Sequence, residues 1–258
     1  MSVKVAVAAE LPFLRRYARA LTGSQQLGDA AVRNVLEALA ADPDRYDTEK
    51  PARFELYRVF HKIWQPMAET LGSNDNLSEL SARARQALML TAVEGFSLKE
   101  AGQILMTEAD ELSADLEAAK TLMADSLKSR VMIIEDEAII ALHIQSIVKA
   151  VGHDVLGVAR THAEAVKMAN ETRPELVLAD ISLADGSSGI DAVKEILESI
   201  DVPVIFVTAF PERLLTGERP EPTFLITKPF EPIMLTATIA QALLTDRDQK
   251  AALSKQAA

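Results

Sequence analysis

The hydrophobic patterning of this chain changes character near residue 130, and the change limits what each half can fold into. Beyond that point short runs rich in Val, Ile and Leu recur near 131–135, 155–159, 176–180, 203–207 and 223–227. Between and after them lie stretches of helical length near 138–151, 162–171, 189–199, 211–216 and 231–244. A strand buried on both faces reads as a continuous apolar run. Its regular alternation with helices is the signature of βα units and a parallel sheet. Gly217, Pro220 and Pro222 crowd the stretch before the last strand and stunt the fourth helix, because proline and the residue before it resist helix.

Before residue 130 only helical periodicity is found, with helices expected near 10–21, 24–41 and 51–65. A polar connector near 70–78 leads to further helices near 79–94, 98–105 and 108–125. Ser97-Leu-Lys-Glu100 and Thr107-Glu-Ala-Asp110 both fit the capping-box spacing, and the short turn between their helices reads as helix-turn-helix. The fold class is therefore an all-α N-terminal region followed by a flavodoxin-like (βα)5 domain. The expected boundaries are helical domains at 1–68 and 79–125, a join at 126–130, an α/β domain at 131–245 and a flexible tail at 246–258.

The 258 residues include no cysteine, which removes disulfides and thiolate-bound metal from consideration. A net charge of −11 opposes general attraction to nucleic acid or anionic membrane. No opening apolar run resembles a signal peptide, and the longest apolar runs are strand-length. A cytoplasmic protein without membrane attachment is the expectation.

The chemistry gathers at strand ends. Val131-Met-Ile-Ile runs into Glu135 and Asp136, and Leu176-Val-Leu-Ala into Asp180. Thr208 closes Val204-Ile-Phe-Val, and Lys228 closes Thr223-Phe-Leu-Ile-Thr. In an open α/β sheet the carboxyl ends of the strands form the ligand crevice, so the spacing brings these groups together. Phosphoryl transfer to a carboxylate needs a presented Asp, a hard cation to neutralise oxyanions, and fixed donors for the phosphoryl oxygens. Asp180 is the candidate acceptor. Asp136 and Asp180, with Glu135 beside them and the Ser182 carbonyl, are candidate Mg²⁺ ligands, since Mg²⁺ prefers oxygen and keeps several waters. Lys228 supplies a point charge and Thr208 a hydroxyl. Each alone would be an ordinary polar strand terminus; together, in this order and with Pro229 after the lysine, they make a site.

Residues 131–244 resemble the receiver domain of bacterial two-component response regulators. The resemblance lies in Ile133-Ile-Glu-Asp-Glu137, Leu178-Ala-Asp-Ile181, Val207-Thr-Ala209 and Thr227-Lys-Pro-Phe230. It implies transfer of phosphate from a sensor histidine kinase or phosphotransfer protein to Asp180, with Mg²⁺ and only slow self-hydrolysis, so not an enzyme in the ordinary sense. One departure stands out. The position three before the lysine, aromatic in many receivers, is Leu225, which leaves Phe206, Phe210 or Phe224 to carry a conformational change.

Residues 79–123 resemble region 4 of a small extracytoplasmic-function sigma factor, in the run from Ser81 through Glu94-Gly-Phe-Ser97 to Ala101. Residues 11–65 resemble region 2 more loosely, in Leu14-Arg-Arg-Tyr-Ala-Arg-Ala-Leu-Thr-Gly23 and Leu56-Tyr-Arg-Val-Phe-His-Lys-Ile-Trp64. The charge contradicts a DNA reader. A recognition helix brings cations to phosphates and long donors to base edges. The helix from Thr107 to Lys120 instead carries Glu108, Asp110, Glu111, Asp115 and Glu117 against Lys120 alone, a net of −4. Over residues 1–125 there are 14 Lys and Arg against 19 Asp and Glu.

A sigma-like half ahead of a C-terminal receiver is similar to the PhyR-type general stress response regulators, with Asp185-Gly-Ser-Ser-Gly-Ile-Asp-Ala-Val-Lys194 among the matching stretches. That resemblance implies an anti-anti-sigma factor. Phosphorylation would expose a sigma mimic that sequesters a NepR-like anti-sigma factor and frees the stress sigma factor, without direct DNA binding. A DNA-binding response regulator, or a true sigma factor with an attached receiver, is the alternative. Among other features, Phe54, Tyr57, Phe60 and Trp64 at helical spacing read as core. The four histidines show no metal spacing, and Arg15, Arg16 and Arg19 read as a solvated basic face in preference to a contact with an acidic partner or a remnant of polymerase or DNA contacts.

Overall fold

The computed structural model describes residues 3–70, 81–126, 128–183, 185–214 and 222–256. The chain divides into two compact units, Met1–Thr121 and Leu122–Ala258.

In the first unit, α1 (Val3–Thr22), α2 (Gln25–Ala41) and α3 (Ala52–Thr70) pack on one another through Leu14, Tyr17, Val32, Val35, Leu56, Tyr57 and Phe60, all buried. The backbones of α1 and α2 approach so closely at Gly28 that a Cβ there would lie 2.6 Å from the Arg19 backbone. Helix α1 starts earlier than its Pro12 suggests. Burial of Ala6 and Val7 holds the turns ahead of a proline that would otherwise mark an N-terminus. Next come α4 (Ala82–Leu88), which runs on as a π-wound turn over Met89–Val93, then α5 (Leu98–Leu105) and α6 (Ala109–Ser126). The connector expected near 70–78 lies almost wholly outside the described residues.

The Ser97 capping box is present, with Ser97 and Glu100 satisfying each other's backbone N–H. The one expected at Thr107 is absent. Met106 adopts a left-handed conformation and the Thr107 N–H returns to the Gly102 carbonyl, as in a Schellman ending. The Thr107 hydroxyl donates to the Leu105 carbonyl, so this threonine closes α5, and α6 begins two residues on.

In the second unit the strands are β1 (Arg130–Ile134), β2 (Asp154–Ala159), β3 (Leu176–Ala179), β4 (Val204–Thr208) and β5 (Phe224–Thr227). They form a five-stranded sheet in the order β2-β1-β3-β4-β5, every pairing parallel. Helices α8 (His162–Thr172) and α9 (Gly189–Leu197) pack together over the face bearing Met132, Ile134, Val177, Ala179, Phe206 and Leu225. Helices α7 (Ala138–Ala150) and α10 (Pro232–Gln256) pack together as the other layer.

Two expectations are corrected. Where a helix was expected at 211–216, the described residues hold only a 3₁₀ turn, Pro211–Arg213. The tail expected at 246–258 is helix as far as Gln256. Asp246 to Gln256 lacks Gly and Pro and is rich in Ala, Lys and Gln, which favour helix, and Lys250 pairs with Asp246 one turn back at 2.8 Å.

Candidate functional site

The sheet order reverses beside β1, and it is there that the acidic groups meet. Glu135 and Asp136 leave the end of β1, and Asp180 leaves the end of β3. The Asp180 N–H donates to the Ile134 carbonyl, continuing the ladder one residue past the strands. Oxygen atoms of Glu135, Asp136 and Asp180 all lie within 4.8 Å of one another. An all-carboxylate donor set of this size suits a hard divalent cation.

Lys228 closes the pocket from the end of β5. Its ammonium donates to Glu135 at 2.7 Å and to Asp180 at 2.6 Å. Burial works against the lysine charge, but its hydrogen bonds to Asp180 and Glu135 outweigh it and raise its pKa. Burial raises the pKa of Glu135 despite the opposing pull of Lys228. The free oxygen side of Asp180 is also held, accepting the Ile181 N–H at 2.6 Å and the Ser182 N–H at 3.4 Å. Thr208 is fully buried at the end of β4, and its hydroxyl accepts the Phe210 N–H at 3.2 Å.

Gly189 makes this geometry attainable. At the start of α9 its backbone comes so close to β3 that a Cβ would sit 1.7 Å from the Asp180 carbonyl oxygen. No other side chain fits there without moving the loop that carries the acceptor. The sequence reading passed over this glycine, although its place in Ser187-Ser-Gly-Ile190 just before an amphipathic stretch is the available signal.

Also missed was Arg213, whose guanidinium donates to the Ser182 hydroxyl at 3.3 Å and lies over the Phe210 ring at 5.1 Å. Of the three phenylalanines named as carriers of a change, Phe206 and Phe224 are buried, whereas Phe210 is 46% exposed.

In the helical unit the arginine cluster is not a solvated face. Arg15 and Arg19 both pair with Asp29, at 3.3 and 2.8 Å, and Arg19 is fully buried. Arg16 reaches Glu94 at 2.9 Å. Glu94 is the buried hub of a larger network, accepting also from Arg53 at 2.7 Å and the Tyr57 hydroxyl at 2.8 Å. Burial works to raise the Glu94 pKa, but Arg16 and Arg53 overcome it and hold the carboxyl below its ordinary value. Phe96 completes the contact by packing on Tyr57 with ring centroids 5.1 Å apart. These residues join the turn between α4 and α5 to α1 and α3.

Asp110, Glu111 and Glu117 of α6 are exposed, and Asp115 is half-buried. Arg83 of α4 is forked between two of them, Glu111 at 3.1 Å and Asp115 at 2.5 Å. The expected aromatic core is present, with Tyr17 and Tyr57 tilted at 5.1 Å and Phe60 stacked on Trp64 at 6.1 Å. His61 is buried there, its Nε2 2.7 Å from the Tyr17 hydroxyl, and burial lowers its pKa to about 3. No helix among the described residues is long and apolar enough to cross a membrane.

Comparison with known proteins divides the chain along the same line. Residues 7–61 match the family described as the sigma2 domain of PhyR, and 77–125 the response regulator PhyR sigma-like domain. Residues 131–240 match the response regulator receiver domain. The phyllosphere-induced regulator PhyR of Methylorubrum extorquens is 46% identical over 253 residues, covering 94% of this chain and 95% of its own. Among solved structures, the response regulator PhyR from Brucella abortus shares 46% identity with a TM-score of 0.88, covering 99% of this chain and 100% of its own. The anti-anti-sigma factor PhyR from Bartonella quintana is 47% identical with a TM-score of 0.87, covering both chains in full.

Proposed function

Because the chain belongs to the PhyR family of response regulators, we propose that phosphorylation of Asp180 is its input and capture of an anti-sigma factor its output. The observation that carries the input is the clasp of Lys228 on Glu135 and Asp180 at the strand ends, beside Asp136. The Asp180 carboxylate attacks the phosphorus of a phosphohistidine on a sensor kinase or phosphotransfer protein. The acyl phosphate forms as the phosphorus–nitrogen bond breaks, and the histidine leaves as imidazole. Glu135, Asp136, Asp180 and the Ser182 carbonyl would hold Mg²⁺, which neutralises phosphoryl oxyanions when bound. Lys228 exchanges a carboxylate oxygen for a phosphoryl oxygen, and the Thr208 hydroxyl donates to another. Slow self-hydrolysis of the acyl phosphate is the expectation that goes with a receiver domain.

The output belongs to the helical half, divided at 1–68 and 79–125, with the receiver at 131–245. Its region 2-like and region 4-like parts imitate a sigma factor toward a NepR-type anti-sigma factor, which then releases the true sigma factor in the cytoplasm. Direct promoter recognition is disfavoured by α6, which exposes Asp110, Glu111 and Glu117 and whose facing cation, Arg83, is already paired. The unphosphorylated receiver withholds the mimic, and the energy of phosphorylation tips a two-state balance of a few kcal/mol.

The test uses the full chain with phosphoramidate and Mg²⁺. Wild type should incorporate phosphate and then retain a NepR-type anti-sigma factor, whereas Asp180→Ala should do neither. Labelling of Asp180→Ala at the wild-type level would refute the site assignment. Equal retention with and without phosphoryl donor would refute the gating.

A further inference from the structure

We propose that Arg213 is a phosphoryl-sensing residue that exchanges the Ser182 hydroxyl for an oxygen of the aspartyl phosphate, carrying the Pro211–Arg213 turn with it. The inference rests on Asp180 being the acceptor.

A circuit of contacts runs from Asp180 to Thr208. Asp180 accepts from the Ser182 N–H, and Ser182 accepts through its hydroxyl from Arg213. The Arg213 guanidinium covers the Phe210 ring, and the Phe210 N–H donates to the buried Thr208 hydroxyl. The circuit therefore touches both the acceptor and the hydroxyl placed to meet the phosphoryl group. Lys228 is committed to two carboxylates at 2.6–2.7 Å. Among the described residues, the Arg213 guanidinium is held by a neutral hydroxyl at 3.3 Å and lies over an exposed ring.

Those holds are weak beside what phosphorylation offers. A phosphoryl group brings about −2 charge and three strong acceptor oxygens. A guanidinium presents its donors in a fork that fits phosphate, and such charge-assisted bonds are about twice as strong as neutral ones. A longer reach suffices, because Ser182 lies only two residues beyond Asp180. The Thr208 hydroxyl, in turning its proton to the phosphoryl group, reorients the lone pair that receives the Phe210 N–H. Both ends of the turn are thus released or pulled by one event.

Movement of the turn has a route into the fold. The N–H groups of Arg213 and Leu214 return to the carbonyls of Phe210 and Pro211, which ties the turn into one piece. Leu214 is buried in the cluster with Phe206 and Leu225. A shift of Arg213 therefore repacks the face of the sheet where Leu225 replaces an aromatic side chain.

The test uses full-length protein, beryllium fluoride and Mg²⁺. Fluorine-19 resonance reports the adduct on Asp180, and amide hydrogen exchange over Phe210–Leu214 reports the turn. In wild type the adduct should change exchange at Phe210, Arg213 and Leu214. Arg213→Gln should bind the adduct about tenfold more weakly, the equivalent of one charge-assisted hydrogen bond, and lose that exchange change. Phe210→Leu, which keeps the cation, should retain adduct affinity within about twofold, since a ring contact at an exposed site contributes little. Wild-type adduct affinity together with an unaltered exchange change in Arg213→Gln would overturn the assignment. Absence of any adduct in wild type would instead refute the Asp180 reading on which it stands.

Discussion

Removing the Glu94 carboxylate should unfasten the turn between α4 and α5 from α1 and α3. In Glu94→Ala, Arg16 is left with an unpaired charge on a side chain only 11% exposed. The Tyr57 hydroxyl, buried in the core, loses its acceptor. Arg53, 38% exposed, can turn to water, so its loss counts for less. Breaking a buried pair by removing one partner costs about 3–5 kcal/mol, and the partial escape of Arg53 places the expectation near about 4 kcal/mol. Trp64 is the sole tryptophan and lies in this unit, stacked on Phe60, so its fluorescence during urea unfolding reports the helical half alone. With a slope of about 2 kcal/mol/M, the midpoint should fall by about 2 M. Arg45→Ala, which breaks an exposed pair with Asp42, should shift it by less than about 0.5 M. A Glu94→Ala midpoint no lower than that of Arg45→Ala would refute the reasoning.

Gly189→Ala drives a methyl group into the Asp180 carbonyl and should reduce the rate of phosphoramidate labelling at least about tenfold, while urea unfolding followed at Trp64 stays unchanged. The folded-state pKa of His61, about 3 against 6.5 when unfolded, means the unfolded chain binds the extra proton, so stability falls as pH drops through that window. The loss should reach about 2 kcal/mol at pH 5 and disappear in His61→Gln, read from urea midpoints across pH. Glu108→Lys should leave anti-sigma capture within about threefold and only modestly salt-dependent, as expected when apolar anchors dominate; a binding constant that collapses with added salt would show nucleic-acid mimicry instead.

The strands of the receiver were legible to within a residue or so because Val131–Ile134 and Leu176–Ala179 are unbroken apolar runs, buried on both faces. The acidic pocket was legible for the same reason: its members stand at the ends of those runs. What was not legible were pairings with no period. Arg16 and Glu94 are 78 positions apart, and nothing local distinguishes a cation bound for a buried carboxylate from one bound for water. The tail was misread because small polar residues suggest disorder, whereas Ala, Lys and Gln in sequence are strong helix formers. Thr107 had the right spacing for a cap but was drawn into the ending of the preceding helix, a competition that spacing alone does not reveal.

The fork of Arg83 between Glu111 and Asp115 bears on how such a protein keeps to its role over evolutionary time. A helix that works on a chromosome holds its cations ready for phosphate. Here the cation facing α6 is already answered from within its own fold. Replacing either acid alone frees half of Arg83 without adding a contact to DNA, and the remaining acids still repel the backbone. Promoter reading is therefore not one substitution away. A helix of this kind can change considerably on its outer face before it begins to attract a phosphate backbone.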